Sequence, residues 1–221
     1  MKPTRTDYVR QAWLIILLAL FYGGALAGVQ LGLSGRIEEN RRNEIYGVIP
    51  SLAPGADREA TRQVAFTGPD GRDWTAYQAF DEDGVHRGWV VFGSGQGFVD
   101  RIDMLIGFDA ERETVTGIYV LEQKETPGLG DFITHDWFRE RFAGRAADTP
   151  LEVVRADPRE PHQVESLTAA TITTETVADI VNRAAAAIRA WEPPPEAPGT
   201  DLPAVPEPAP YQLDGRSGGD E

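Results

Sequence analysis

The chain has 221 residues, a formal net charge of −14 and no cysteine. That balance argues against nucleic-acid binding, which needs a basic footprint. The missing thiols exclude disulfides, cysteine-ligated zinc and iron–sulfur clusters held by this chain. Hydrophobic residues make up 41%, enough for one packed domain beside a membrane element. His86, His135 and His162 are scattered, without metal-ligand spacing.

Residues 12–33 carry no charge. As a helix, these 22 residues are long enough for a bilayer core of about 30 Å. Trp13 sits at the edge of the run, where indoles favour the interface. Ala25-Leu26-Ala27 after a basic start is also the pattern of a signal-peptide cleavage site, but the apolar run continues to Leu33, which favours an uncleaved anchor. Lys2, Arg5 and Arg10 precede the span and Arg36, Arg41 and Arg42 follow it, so the positive-inside rule leaves orientation open. Residues 1–11 form one flank. Residues 34–56 read as a charged stalk or linker, broken at 50–56 by turn residues Pro54 and Gly55.

Residues 62–121 are mostly β in pattern. Trp74 to Phe80 alternate larger and smaller residues at period two, and Asp83-Gly84 marks a hairpin turn. Residues 88–92 form a short apolar strand, and 93–97 a glycine-rich turn. Residues 98–108 and 114–121 read as strands around a turn at 109–113. Residues 136–142 suggest a short helix with Trp137, Phe138 and Phe142 on one face, and 151–156 another strand. Val177, Ile180, Val181, Ala184, Ile188 and Trp191 then recur at helical spacing, ended by Pro193. The expected fold is α+β: one transmembrane helix over 12–33, then a single domain over 57–192 with a mostly antiparallel sheet flanked by helices. Residues 193–221 contain eight prolines and an acidic Gly-rich end, the composition of a disordered tail.

Between the 151–156 strand and the last helix, Ser166, Thr168, Thr171, Thr173 and Thr174 crowd five hydroxyls into nine residues. Such clusters are commonly N-caps. The same place suits an anion, because a helix N-terminus offers free N–H donors and partial positive charge. In that reading Ala169 and Ala170 leave room for a bulky group, and Thr168 and Thr173 donate to phosphate oxygens. Upstream lies Glu125-Thr126-Pro127-Gly128-Leu129-Gly130, whose Pro-Gly is by itself only a turn.

These two segments resemble the covalent FMN-binding family, which includes the G subunit of Rnf complexes and the C subunit of sodium-pumping NADH:quinone oxidoreductases. The flavinylation motif, roughly Asp-x-x-Ser/Thr-Gly-Ala-Thr-x-Ser/Thr, matches at Thr168, Ala170, Thr171 and Thr173. Glu165 stands where aspartate is usual and Ala169 where glycine is usual; the second change is mild where that residue keeps a negative φ. The Glu125–Gly130 string is close to the Rnf form, and Gly93-Ser94-Gly95-Gln96-Gly97 is similar to the family's Ser-Gly-x-Gly segment. The resemblance implies FMN joined by a phosphoester to Thr171, making the chain a phosphoprotein and flavoprotein. It implies that Glu125 and Thr126 supply hydrogen bonds to the flavin, that Gly128 and Gly130 let backbone approach it, and that Leu129 packs on the ring.

It further implies a single-pass protein of the bacterial inner membrane with its domain on the periplasmic side. That protein relays electrons in a translocase working between ferredoxin and NAD. Its partners are the other membrane and iron–sulfur subunits and the flavin transferase that installs FMN. The chain offers no nicotinamide site and no nucleophile–base pair, so no active site is complete on it alone. Three rival readings remain at this level: a protein like the Nqr C subunit, a stand-alone periplasmic electron-transfer flavoprotein, and a periplasmic binding or scaffold domain without flavin, in which the hydroxyl cluster is only a cap.

Overall fold

The computed structural model describes residues 5–192. The tail expected over 193–221 lies outside the described residues. The chain divides into two compact units that part between Gly47 and Val48.

Helix α1 (Arg5–Leu52) contains the uncharged stretch 12–33 whole. By length and composition it holds one segment able to cross a membrane, with mean hydropathy 1.9 and no buried residues in that window. Leu20 and Phe21 are exposed, as a lipid-facing surface requires. The break expected at 50–56 falls later, because α1 keeps Pro50 inside its last turn and ends at Leu52. The Leu52 carbonyl, one of the acceptors a helix end leaves open, is taken by the Thr116 hydroxyl. Leu52 and Ala53 are buried in the second unit.

That unit is built on an antiparallel meander of β1 (Arg62–Thr67), β2 (Asp73–Phe80), β3 (His86–Gln96), β4 (Arg101–Phe108), β5 (Thr114–Glu122) and the short β6 (Arg145–Ala146), paired in chain order. The expected turn at Asp83-Gly84 joins β2 to β3, with Gly84 at φ 78°. The glycine-rich segment 93–97 is not a turn. Gly93 and Gly95 are strand residues, paired with Met104 and Ile102. A Cβ on Gly93 would lie 2.5 Å from Ile180 Cγ2, and one on Gly95 2.9 Å from Ile180 Cγ1. These glycines are gaps in the sheet into which the helix above it fits. The strand expected from residue 98 starts instead at Arg101, and Phe98 and Val99 form an exposed turn tip.

Helix α3 (Thr171–Ala190) lies on β3 and buries Val177, Ile180, Val181, Ala184 and Ile188, the apolar stripe its spacing predicts. It stops one residue short of Trp191, whose ring stacks on Phe66 at 4.7 Å between centroids and meets Trp89 edge-on at 5.4 Å. The expected helix over 136–142 is α2 (Asp136–Arg139) followed by a 3-10 turn, with Phe138 and Phe142 fully buried. Strand β7 (Glu152–Val154) pairs in parallel with β8 (Gln163–Glu165), a short strand that the residue pattern did not announce. From β8 the chain leads directly to the start of α3.

Candidate functional site

Three segments meet at the N-terminal end of α3: the turn 97–100 between β3 and β4, the loop 125–130 after β5, and the hydroxyl segment 166–174. They enclose a cavity of about 300 Å³ lined by Phe98, Glu125, Thr126, Leu129, Gly130, Ala169, Ala170, Thr171, Ile172 and Thr173. Eight of the ten residues singled out in the sequence line it. Gly128, at φ 77° on the outside of its turn, and Thr168, exposed two residues before the N-cap, do not.

The hydroxyls sort into distinct tasks. Thr171, Thr173 and Thr174 lie inside the first turn of α3 rather than before it. Thr174 Oγ1 accepts from the Leu167 N–H and donates to the Ala170 carbonyl, fastening the turn to its own lead-in. Thr173 Oγ1 donates to Glu125 Oε2 at 2.5 Å, so the proton expected for a phosphate is spent inside the protein. Ser166, buried, donates to the Leu167 carbonyl and lies 3.1 Å from Thr171 Oγ1. Thr171 alone brings to the cavity a half-buried hydroxyl whose one contact is another hydroxyl.

None of the five is a cap. The N-cap is Ala170, and no side chain caps the N–H groups of the first turn. That removes the physical basis of the reading in which the cluster only finishes a helix. It leaves the N–H donors of the first turn, with their partial positive charge, facing the cavity beside Thr171. Ala169 corrects a second expectation. Its φ is +63°, not negative, so alanine stands where the backbone favours glycine.

Glu125 is only 5% exposed. Its Oε1 accepts from the Val99 N–H at 2.9 Å while Oε2 holds Thr173. Both oxygens are thus engaged by the protein, not offered to a ligand as the loop motif suggested. The 97–100 turn is also tied by Asp100, which pairs with Lys124 at 3.1 Å. The Arg101 N–H, and then Lys124, hold the Asp100 carboxyl below the usual carboxylate range.

Phe98 and Ile172 were not anticipated. They are 65% and 52% exposed, and with Leu129 they present apolar surface around the cavity mouth. The available signal was a phenylalanine directly after Gly95-Gln96-Gly97, which reads equally well as a strand start. A phosphate fits the uncapped helix end, and a planar apolar ring fits among Phe98, Leu129 and Ile172.

This is where the fold meets known proteins. Residues 97–186 match the family model described as an FMN-binding domain. The matched segment is about two fifths of the chain. It contains every residue lining the cavity. The chain is 32% identical over 117 residues to the G subunit of the ion-translocating oxidoreductase complex of Methanosarcina acetivorans, covering 52% of this chain and 59% of that one. It is 32% identical over 94 residues to the G subunit of the Na(+)-translocating ferredoxin:NAD(+) oxidoreductase complex of Acetobacterium woodii, covering 42% and 44%. The chain thus spans about half the length of these curated relatives. The crystal structure of the C subunit of the Na(+)-translocating NADH-quinone reductase from Parabacteroides distasonis shares this chain's fold, with a TM-score of 0.54 at 17% identity over 71% of this chain and 94% of that one.

Proposed function

We propose that the chain is a membrane-anchored flavoprotein subunit of a redox-driven ion-translocating complex of the Rnf type, with FMN esterified through its phosphate to Thr171. The observation that carries this reading is the pairing of the Thr171 hydroxyl, bonded only to the Ser166 hydroxyl, with an uncapped helix start inside a cavity of the segment that matches an FMN-binding domain. When bound, FMN supplies one- and two-electron transfer. The chain holds and places it. Thr171 Oγ carries the ester, whose net formation from threonine and FMN releases one water. The N–H groups of the first α3 turn face the phosphate, and a helix N-terminus favours an anion by about 0.3–1 kcal/mol at an exposed site. Phe98, Leu129 and Ile172 shield apolar ring surface from water. A cavity of about 300 Å³ is at the small end of ligand sites, so a bound flavin would extend partly beyond it.

The similarity to G subunits supports a place among other membrane and iron–sulfur subunits, working between ferredoxin and NAD, with α1 as the single anchor in the bacterial inner membrane and the domain on the periplasmic face. With no cysteine here, the clusters belong to partner subunits. Maturation requires a flavin transferase.

Denaturing electrophoresis of protein from a host that has the transferase tests the covalent claim. A fluorescent flavin band in the wild type and none in Thr171→Ala is the expected result. A dark wild-type band refutes it.

A further inference from the structure

Glu125 is a buried carboxylate that attachment of the flavin does not use. It is 5% exposed and lines the cavity. Its bonds are to the Val99 N–H at 2.9 Å, the Asp100 N–H at 3.5 Å and the Thr173 hydroxyl at 2.5 Å, all neutral donors. The neighbouring Lys124 is paired with Asp100. Among the described residues no lysine or arginine forms a salt bridge with Glu125. The fold makes room for this group. A Cβ on Gly97 would lie 2.5 Å from Glu125 Oε1, and one on Gly130 2.9 Å from Oε2.

A neutral amide of the same size could tie these segments together. Burying a carboxylate instead carries a desolvation penalty that neutral hydrogen bonds only partly offset. What the charge adds is an electrostatic field in the cavity, stronger there than in water because the surroundings are poorly polarisable. A negative charge beside a redox group disfavours each electron added to it.

We infer that the Glu125 carboxylate lowers the midpoint potential of the flavin held in this cavity, besides fastening the 97–100 turn to the start of α3. This rests on the flavin reading of the site above. The chain's residues set the potential through fixed charge, one of the means a protein has to tune its cofactor.

The test is redox potentiometry at pH 8 on flavin-loaded wild type, Glu125→Gln and Thr173→Val. In Glu125→Gln the amide oxygen still accepts from Val99 and the amide nitrogen donates to a rotated Thr173 hydroxyl, so only the charge is lost. The expected result is a higher midpoint potential in Glu125→Gln. Thr173→Val keeps the charge and strips one donor from it, so its potential falls below wild type. An unchanged or lower potential in Glu125→Gln overturns the inference. So does failure of that variant to carry flavin, because the group is then needed for assembly rather than tuning. Should Glu125→Gln not fold, an unchanged or raised potential in Thr173→Val overturns it and a fall supports it. A wild type without flavin is a separate outcome, the failure of the functional reading itself.

Discussion

At its C-terminal end α3 is closed off. Arg112 Nη1 donates to the Ile188 carbonyl at 2.9 Å and to the Trp191 carbonyl at 2.6 Å, and Trp191 is clasped by Phe66 and Trp89. At its N-terminal end no side chain caps the helix, an alanine holds a left-handed conformation, and apolar side chains stand exposed around a cavity. Five hydroxyls lie within reach of that open end, and the fold uses none of them to close it. On the function proposed above, the closed end concerns stability and the open end is where the flavin phosphate completes the structure.

Substitutions at the two ends separate these roles. Thr171→Ala has the largest expected effect: covalent flavin is lost entirely, while the melting temperature of the flavin-free protein stays where it was. Trp191→Ala does the reverse. Removing a half-buried indole from an aromatic cluster costs about 2–4 kcal/mol, read as a lower denaturant midpoint. Flavin fluorescence per folded protein is unchanged, because the 20 residues of α3 put the two ends about 30 Å apart. Loss of flavin in Trp191→Ala, at a temperature where it remains folded, would break the comparison.

The closed end and the sheet were largely legible in the residues. The stripe from Val177 to Ile188 reports burial of one helix face against the sheet, which one-dimensional periodicity can carry; in β2 the alternation marked a strand but not its burial, since Trp74, Ala76, Tyr77, Ala79 and Phe80 are all buried. The segment 93–97 misled because a run of glycines reads as a turn. Its reason lies in the Ile180 side chain, far along the chain, which needs the space. The site was legible as two segments, but not in its internal economy. No pattern says that Glu125 and Thr173 satisfy each other, and none reveals the positive φ of Ala169. Phe98 belongs to the cavity because the sheet brings a turn tip beside the helix start.

Ala169→Gly gives a smaller effect and sharpens the picture of the open end. Relief of the left-handed alanine, about 1 kcal/mol or more, is partly offset by the added freedom of glycine in the unfolded chain. The net is a gain of less than about 1 kcal/mol in chemical denaturation. A loss of stability there would mean that the alanine methyl is itself packed and needed.

Acidification gives the smallest effect. The Asp100 carboxyl is held below the ordinary range in the folded protein by the Arg101 N–H and then by Lys124. The unfolded chain therefore takes up this proton first, from about pH 5 downward. The stability contributed is present above the unfolded pKa and is lost as pH falls through the folded one. Asp100→Asn slightly lowers stability near neutrality, where the wild-type carboxylate contributes, and makes the curve shallower across the acid limb, so that the two proteins converge at low pH.

Mass spectrometry with fragmentation, on protein from a host with the flavin transferase, addresses the central claim most directly. The account predicts one added mass, that of FMN less water, localised to Thr171. An unmodified segment, or the same mass on Thr168 or Thr173, would contradict it.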